Sequence, residues 1–341
     1  VVPDSGCGSW LLEPQSTNVV AYSEDFSNSY WNQTYMSIST TEVTTSPNGS
    51  NTAQKLTRSA GAYNIVRPAS GINGLNYSLS VFVKNIDADN FYIRTASGFS
   101  YYNFASKTTS NSNLVAEEFS DGWVRLITNE PNSSYKQFGI GESESDQTET
   151  DNQVYIWGAQ VEQQSYATSY IPTNGATNTR LQDIANNSGN STLINSTEGV
   201  LYAEIAAFIS YDTIEPNRYI TLTNGTSNQR IALLFGGNTN QLRAIAYSNT
   251  QSINLSFTTS LTDTKQYNKL AVKYKSGDYA FFLNGVKIGG SSETNIFPAN
   301  TLNDLSFDVG GGTQQFRGKT KALAVYKEAL TDAELQSLTT I

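Results

Sequence analysis

The chain has 341 residues, of which 15% are charged, with a formal net charge of −9, one Cys, one Met and no His. Asn, Ser and Thr make up about a third of the residues, which favours turns and strand surfaces and excludes an all-helical protein. Without His, the commonest general base and metal ligand is missing, so zinc proteases and the usual serine hydrolases are excluded.

Acidity is confined to the first part of the chain. Residues 1–185 hold 18 acidic and 9 basic side chains, whereas residues 186–341 hold 12 of each. A nucleic-acid-binding protein needs a basic surface, so we predict no nucleic-acid partner and favour neutral or cationic partners, including uncharged glycans. No apolar run approaches the roughly 20 residues that span a bilayer, so we predict no membrane insertion.

In chain order, the first elements are an arm and a series of short strands. Residues 1–16 contain Gly, Pro and a lone Cys7 and predict an irregular N-terminal arm without an intrachain disulfide. A domain over residues 17–178 follows, in which alternating segments are separated by Asn, Gly, Ser and Asp turns, as is typical of an antiparallel sandwich. Its clearest strands are predicted at residues 77–83, 91–95, 123–128 and 154–161. Residues 179–198 lack aromatic side chains and predict a linker.

The remaining residues, 199–341, predict a second sandwich. Residues 200–209 alternate as a strand with one buried face, and Asn-Gly turns within 222–226 and 283–286 predict two hairpins. Lys273 and Lys275 alternate with apolar residues and predict a half-exposed strand, and the capping box that starts at Thr331 predicts a terminal helix. The predicted fold class is all-β, with two tandem antiparallel β-sandwiches of jelly-roll type and a short C-terminal helix.

Both halves carry a family resemblance. Residues 195–205, 279–289 and 322–340 resemble the laminin-G-like branch of the concanavalin A-like lectin/glucanase sandwiches. The first half is similar to the jelly-roll, carbohydrate-binding-like modules that precede such domains in phage and prophage virion proteins, through residues 18–32, 121–126 and 154–180.

This resemblance implies a virion surface protein of the tail-fibre or head-fibre type that binds host surface polysaccharide without cleaving it. Its implied location is the virion surface or the extracellular space, and its implied partners are other virion proteins and further copies of itself, as a trimer in a fibre. Two alternatives stay open. One is a structural capsid-decoration or head-fibre protein without glycan binding, and the other is the carbohydrate-binding region of a secreted polysaccharide-degrading enzyme or of a bacterial adhesin.

Sugar recognition by β-sandwiches uses aromatic faces flanked by polar side chains. All four Trp residues lie in the first half, and residues 99–104 alternate so that an aromatic pair is expected on the exposed face. Trp123 and Trp157 have a competing interpretation as core residues. The predicted glycan-binding residues are Trp31, Tyr35, Tyr101, Tyr102, Trp123, Arg125 and Trp157.

Acidic residues suggest two further sites. Glu144, Asp146 and Glu149 match the E-x-D-x-x-E pattern of retaining glucanases, but their spacers are polar and the motif does not have the pattern of a buried strand. We therefore predict no catalysis. Calcium is the one candidate cofactor, with Asp87, Asp89, Glu144 and Asp146 as candidate ligands. A solvated acidic turn is the alternative, because neither run has the EF-hand pattern.

Overall fold

The computed structural model describes residues 8–61, 65–68, 77–95, 98–128, 136–210 and 217–341; Cys7 lies outside them. Two compact units divide the chain. The N-terminal unit is Gln15–Leu181, and the C-terminal unit combines Val1–Pro14 with Gln182–Ile341.

Short strands dominate both units, because β-branched and aromatic residues alternate with polar ones between turn residues. The strands up to residue 181 are β1 (Trp10–Leu12), β2 (Ser16–Asn18), β3 (Trp31–Thr34), β4 (Met36–Thr44), β5 (Ala53–Arg58), β6 (Ile65–Pro68), β7 (Ser78–Asn85), β8 (Asn90–Thr95), β9 (Gly98–Asn103), β10 (Thr108–Thr109), β11 (Leu114–Glu118), β12 (Trp123–Thr128), β13 (Phe138–Ile140), β14 (Gln153–Glu162) and β15 (Asn178–Arg180). A short 3₁₀ turn, Ser120–Gly122, precedes β12.

The later strands are β16 (Glu198–Ala206), β17 (Arg218–Thr223), β18 (Gln229–Phe235), β19 (Gln241–Ser248), β20 (Ile253–Ser260), β21 (Asn268–Lys275), β22 (Tyr279–Leu283), β23 (Val286–Ser291), β24 (Asp304–Ser306) and β25 (Gly318–Tyr326). Helix α1 (Asp332–Thr339) follows them. The described part of the chain contains no helix with the length and apolarity needed to cross a membrane.

Two six-stranded antiparallel sheets form the N-terminal unit, in the orders β10-β9-β8-β13-β6-β3 and β11-β12-β7-β14-β5-β4. Inward-facing residues of both sheets, such as Val81, Leu126, Ile156 and Phe91, make one buried core. A second cluster of buried side chains, built on Phe82, covers part of the outer face of the β7-β14 sheet. The unit is therefore an antiparallel sandwich with an additional covered layer.

The C-terminal unit is a second sandwich, with sheets in the orders β1-β25-β16-β21-β22-β23 and β20-β19-β18-β17-β24. The predicted irregular arm differs from the structure, because β1 pairs with Gly318–Thr320 of β25 and Leu12 is buried in the core of this unit. The predicted linker also contains ordered contacts. Its first residues belong to β15, which pairs with β2, and Ile194 is buried in the C-terminal core.

The predicted all-β fold with antiparallel sandwiches and a C-terminal helix is confirmed. The four clearest predicted strands correspond to β7, β8, β12 and β14, and the Thr331–Glu334 capping box is present at the start of α1. Of the two Asn-Gly hairpins, Asn284-Gly285 forms a two-residue turn with both φ angles positive, at 50° and 80°. The connection after β17 is longer, since β18 begins only at Gln229.

Lys273 is the clearest departure from the predicted exposure pattern. The pattern of β21 predicts a half-exposed strand, but the Lys273 side chain is only 2% exposed. Its ammonium group donates hydrogen bonds to Asp278 at 2.8 Å and to Asp332 of α1 at 2.7 Å. The C-terminal helix therefore covers the face of the sheet that alternation alone would leave in water.

Candidate functional site

A cavity of about 530 Å³ opens in the N-terminal unit, where the chain after β2, the β4–β5 connection and the segment after β14 meet. This volume lies within the range of small-molecule sites. Its lining residues are Tyr22, Glu24, Asp25, Val43, Thr52, Gln54, Pro172, Thr173 and Asn174.

Two walls of the cavity are joined by backbone and hydroxyl contacts. The backbone N–H of Ser23 donates to Thr173 Oγ1 at 3.0 Å, and the backbone N–H of Thr173 donates to Ser23 Oγ at 2.8 Å. Tyr22 and Asn174 form an antiparallel bridge, and Gly175 N donates to Ala21 O at 2.8 Å. These contacts fix the two segments against each other before any ligand arrives.

Asn18 holds the base of the same wall. This fully buried side chain donates to the carbonyl oxygens of Ala159 and Ile171, and its own oxygen accepts from the backbone N–H groups of Val20 and Val161. All four hydrogen-bonding positions of the carboxamide are therefore used. β14 has a register irregularity between Trp157 and Gln160, and within it Ala159 N donates to Ser23 O at 2.9 Å.

A chain of hydrogen bonds runs to the cavity from Trp157, which belongs to the buried cluster built on Phe82. Trp157 Nε1 donates to Thr52 Oγ1 at 2.9 Å, and Thr52 Oγ1 donates to Glu24 Oε2 at 2.9 Å. Tyr170 donates its hydroxyl to Glu24 Oε1 at 3.0 Å. Burial raises the pKa of Tyr170, so the phenol stays protonated and remains a donor. Both oxygens of Glu24 are thus held by side-chain hydroxyls.

Gln54 supplies a polar group that the fold leaves unused. Its side chain is buried, with 8% exposure, and Oε1 accepts from Phe26 N at 2.7 Å. Within the described part of the chain, no acceptor receives a hydrogen bond from Nε2 of Gln54. Gln54 Nε2 is not among the fully enclosed polar atoms without a partner, so it is accessible from the cavity and can donate to a ligand oxygen. Gln54 is therefore the lining residue that offers a ligand an unused hydrogen-bond donor.

Further groups at the rim can meet a polyhydroxylated ligand. Tyr22 is half-buried, and its ring lies 5.9 Å from that of Tyr30 between centroids. Asp25 uses Oδ1 to accept from Ser27, while Asn174 presents an exposed carboxamide. A cavity with an aromatic ring, an unused donor and carboxylate acceptors suits the hydroxyl groups and apolar faces of a sugar.

The sequence-predicted residues Trp123, Arg125 and Trp157 lie on the outer face of the β7-β14 sheet but are covered. Trp157 is 1% exposed and packs 4.4 Å from Tyr170 between ring centroids. Trp123 is 2% exposed and donates Nε1 to Thr45 O. Arg125 donates to Thr168 O at 2.7 Å and lies over the Phe82 ring. The predicted role of these three residues as a sugar-binding surface is not supported, because neighbouring side chains and the segment after β14 cover them.

Trp31 and Tyr35 lie near each other in sequence but in different surroundings. Trp31 is a core residue, packed against Phe26 and Phe138, and its Nε1 donates to Tyr22 O at 2.8 Å. Its predicted contact with a ligand is therefore also not supported. Trp31 instead holds the backbone of Tyr22, a cavity residue, through this hydrogen bond. Tyr35 is 49% exposed, has a positive φ of 50° and lies against Gly61.

Tyr101 and Tyr102 occupy opposite faces of β9, as strand alternation requires. Tyr102 is buried in the core, and its hydroxyl donates to Glu118 at 3.4 Å. Tyr101 is half-buried. It lies on the face opposite to Tyr102, in register with Tyr92 of β8. Neither lines the cavity. The expected exposed aromatic pair is thus one half-buried tyrosine with Phe99, which itself packs on Tyr92.

Three of the four candidate calcium ligands, Glu144, Asp146 and Asp87, use their carboxylates in contacts with protein groups. Glu144 pairs with Arg94 at 3.3 Å, and Asp146 accepts from the backbone N–H groups of Glu142 and Thr148. Asp87 accepts from Gln153 N at 2.6 Å, and Asp89 donates its backbone N–H to Glu149. Among the described residues, no group of three or more acidic or Cys side chains is arranged to hold a metal ion.

The E-x-D-x-x-E match lies in the connection between β13 and β14, not on a strand. Glu149 is buried, with 2% exposure, and its carboxylate accepts from the backbone N–H groups of Asp89 and Asn90. Burial raises the pKa of Glu149, while these hydrogen bonds act in the opposite direction. The carboxylate anchors one loop to another and does not face a substrate groove.

The cavity residues themselves were not among the sequence predictions. Tyr22, Glu24 and Asp25 lie within residues 18–32, and Thr173 and Asn174 lie within residues 154–180. These two segments carry the resemblance to carbohydrate-binding-like modules, which is the signal that could have directed attention to them.

Comparison with known proteins agrees with the second sandwich. Residues 204–336 match the concanavalin A-like lectin/glucanases superfamily. The match covers fewer than half of the residues and is confined to the C-terminal unit. The match agrees with the antiparallel sandwich that the two sheets of the C-terminal unit form. No curated protein sequence matches the chain.

Several solved structures are similar in part. The CBM40 of the Ruminococcus gnavus IT-sialidase, bound to α2,3-sialyllactose, is 16% identical with a TM-score of 0.37, over 46% of this chain and 95% of that one. Domain 4 of AbnA, an extracellular arabinanase of Geobacillus stearothermophilus in complex with arabinotriose, is 15% identical with a TM-score of 0.36, over 49% and 74%. Mouse laminin α1 domains LG4-5 are 9% identical with a TM-score of 0.29, over 80% and 90%. These scores are too low to transfer a ligand to this chain.

Proposed function

We propose that the chain binds a glycan without cleaving it, and that the cavity between Tyr22, Gln54 and Asn174 is the binding site. The observation that carries this proposal is the buried Gln54 side chain, whose Nε2 has no acceptor in the described part of the chain. The half-buried Tyr22 ring and the free rim amide of Asn174 supply the stacking surface and the additional hydrogen bonds that sugars require.

Binding without cleavage agrees with the hydrogen bonds that the carboxylates of Glu24 and Glu149 already accept. A glycosidase needs one carboxylic acid that donates a proton and a second that acts as nucleophile or base. Glu24, at the cavity, accepts a hydroxyl hydrogen bond on each oxygen, which suits an anchored carboxylate. Glu149, from the glucanase-like pattern, is buried under backbone donors.

A glycan screen followed by calorimetry tests the site. The full chain is screened against an oligosaccharide array, and the best ligand is titrated into wild type, Tyr22→Ala, Gln54→Ala and Tyr101→Ala. Because one lost hydrogen bond or one lost aromatic contact is worth about 1 kcal/mol or more, we expect roughly fivefold or greater losses of affinity for Gln54→Ala and Tyr22→Ala. Tyr101→Ala, outside the cavity, should bind as wild type does.

Circular dichroism of each variant separates lost binding from lost folding. Absence of binding across the array would overturn the proposed function. Binding that depends on Tyr101 but not on Tyr22 would place the site elsewhere, and the appearance of new reducing ends would show that the protein is an enzyme.

A finer part of the proposal concerns the biological setting. We infer that the protein is a fibre-like virion surface protein that attaches to host surface polysaccharide as a homo-oligomer, because the order of the two resembling segments, residues 18–32 before residues 195–205, is similar to that of such proteins. Several weak sites on one oligomer would give strong adhesion through avidity.

Light scattering of the purified chain, mass spectrometry of purified phage particles and binding to host cells test this setting. We expect an oligomer, peptides of the chain among the particle proteins, and polysaccharide-dependent attachment. Presence in particles without host binding would favour a structural decoration protein. Absence from particles would favour the carbohydrate-binding region of a secreted enzyme or of an adhesin.

A further inference from the structure

We propose that the cavity prefers glycans that carry free amino groups over neutral glycans and disfavours anionic ones. This inference rests on the proposed function and specifies the class of sugar at the same site. It follows from the charges of the groups that line the cavity and from the partners that those groups have.

Two carboxylates, Glu24 and Asp25, line the cavity, and its lining contains no Lys or Arg. The hydrogen-bond donors to Glu24 are the neutral hydroxyls of Thr52 and Tyr170. The donors to Asp25 are the backbone N–H and hydroxyl of Ser27. Within the described residues, no basic side chain forms an ion pair with either carboxylate. Both negative charges are therefore left without an ion-pair partner among the described residues.

Asp25 is placed to meet a cation. Both hydrogen bonds from Ser27 go to Oδ1, at 3.1 and 2.6 Å, so Oδ2 keeps its acceptor capacity. The side chain is exposed at the rim, where an arriving ligand can reach it. An ammonium group offers three donors and a positive charge, whereas a sugar carboxylate would bring like charges together.

The shape of the site strengthens this preference. A concave surface that carries one sign of charge concentrates the electrostatic potential and raises the local concentration of the opposite charge. The neutral donor Gln54 Nε2 and the Tyr22 ring can still bind the uncharged part of the sugar. Among glycans that fit the cavity, its negative charge should therefore favour those that carry a positive charge.

The test compares four β-1,4-linked tetrasaccharides that share one backbone. These are the glucosamine tetramer, its fully N-acetylated form, cellotetraose and the glucuronic acid tetramer, titrated at slightly acidic pH and low ionic strength. We expect the glucosamine tetramer to bind about threefold to tenfold more tightly than cellotetraose, the size of one or two exposed ion pairs, and the glucuronic acid tetramer to bind most weakly.

Two variants assign the preference to the cavity. Asp25→Asn keeps an oxygen for Ser27 and should lower the affinity for the glucosamine tetramer by about threefold more than the affinity for cellotetraose. Asp121→Asn removes one exposed charge in the same unit, at a positive φ of 59° that Asn tolerates, and should leave the preference as in wild type.

The outcomes distinguish the preference for amino sugars from glycan binding itself. Equal binding of the amino and neutral tetramers overturns the selectivity, and a preference that Asp25→Asn leaves intact overturns its assignment to the cavity. The proposed glycan binding stands in both cases. Tightest binding of the glucuronic acid tetramer, or no binding of any of the four, also overturns the selectivity, and the array screen decides the proposed function independently.

Discussion

Ser23 and Thr173 lie 150 residues apart, and each donates its backbone N–H to the hydroxyl oxygen of the other. This reciprocal pair joins the segment after β2 to the segment after β14 and thereby closes two walls of the cavity. A buried pair of this kind satisfies two backbone donors next to the isolated Tyr22–Asn174 bridge. The shape of the cavity consequently depends on contacts that local sequence patterns cannot reveal.

Removing one hydroxyl of the pair should destabilise the N-terminal unit. Thr173→Val keeps the side-chain volume but leaves the Ser23 N–H without its closer acceptor, so we expect a loss of about 1 to 3 kcal/mol in the free energy of unfolding. Urea denaturation followed by circular dichroism measures it. Thr179→Val is the matched control, because the Thr179 hydroxyl bonds only to Thr17 at the exposed surface. Equal losses for both variants would contradict the structural role of the pair.

Tryptophan fluorescence should distinguish the covered rings from the exposed one. Trp31, Trp123 and Trp157 are at most 4% exposed, whereas Trp10 is 55% exposed. We expect acrylamide to quench a minor, accessible component that Trp10→Phe removes, while the emission of the other three stays protected in the folded chain. Persistent strong quenching in Trp10→Phe would show that another ring is open and would restore the platform interpretation for it.

The elements of the fold follow closely from local patterns. The alternation in β7, β12 and β14, and the capping box of α1, depend on neighbouring residues only, so they are readable from the sequence. The exposure of individual side chains cannot be predicted from local patterns in the same way. Alternation places Trp157 and Lys273 on outer faces, but Tyr170 covers the first and α1 encloses the second.

The candidate site was harder to predict for the same reason. Aromatic residues attract attention as sugar platforms, yet in this sandwich most of them fill the core or the covered outer layer. The cavity is formed instead by Tyr22, Thr52, Gln54 and Asn174, which come from three distant segments and have no distinctive local pattern.

The N-terminal strand should be needed for the stability of the C-terminal unit. Leu12 of β1 is buried in the core of that unit, so Leu12→Ala should lower its free energy of unfolding by about 2 kcal/mol or more. Leu11→Ala, at a half-exposed position of the same strand, should cost clearly less. Chemical denaturation of both variants provides the comparison, and equal costs would mean that β1 does not dock as the structure describes.

Calcium should have little effect on thermal stability. Glu144 is paired with Arg94, and Asp146 already accepts hydrogen bonds from Glu142 and Thr148, so a cation would compete with these contacts. We expect the same Tm in calcium and in EDTA. A Tm that rises with calcium would demonstrate a site, because a ligand bound only by the native state must stabilise it. Asp146→Asn and Asp87→Asn would then show which acidic loop holds the ion.

The ion pairs of α1 should make stability depend on pH in the acidic range. Hydrogen bonds from the Lys273 and Lys287 ammonium groups, at 2.7 and 2.6 Å, hold the pKa of Asp332 below its ordinary value of 3.8. Because the pKa is lower in the folded state, ionised Asp332 stabilises that state above about pH 4, and this contribution disappears as the pH falls through the lowered pKa.

Asp332→Asn measures that contribution directly. At neutral pH it replaces the carboxylate beside Lys273 with a neutral amide while Asp278 remains, and because the Asp332 side chain is 48% exposed we expect a loss of about 0.2 to 1 kcal/mol in the free energy of unfolding. The difference from wild type should shrink steadily below pH 4. Glu328→Gln, an exposed charge in the same unit, should show no such difference at any pH. A gap between wild type and Asp332→Asn that persists at the lowest pH would mean that packing of α1, and not the charge of Asp332, is responsible.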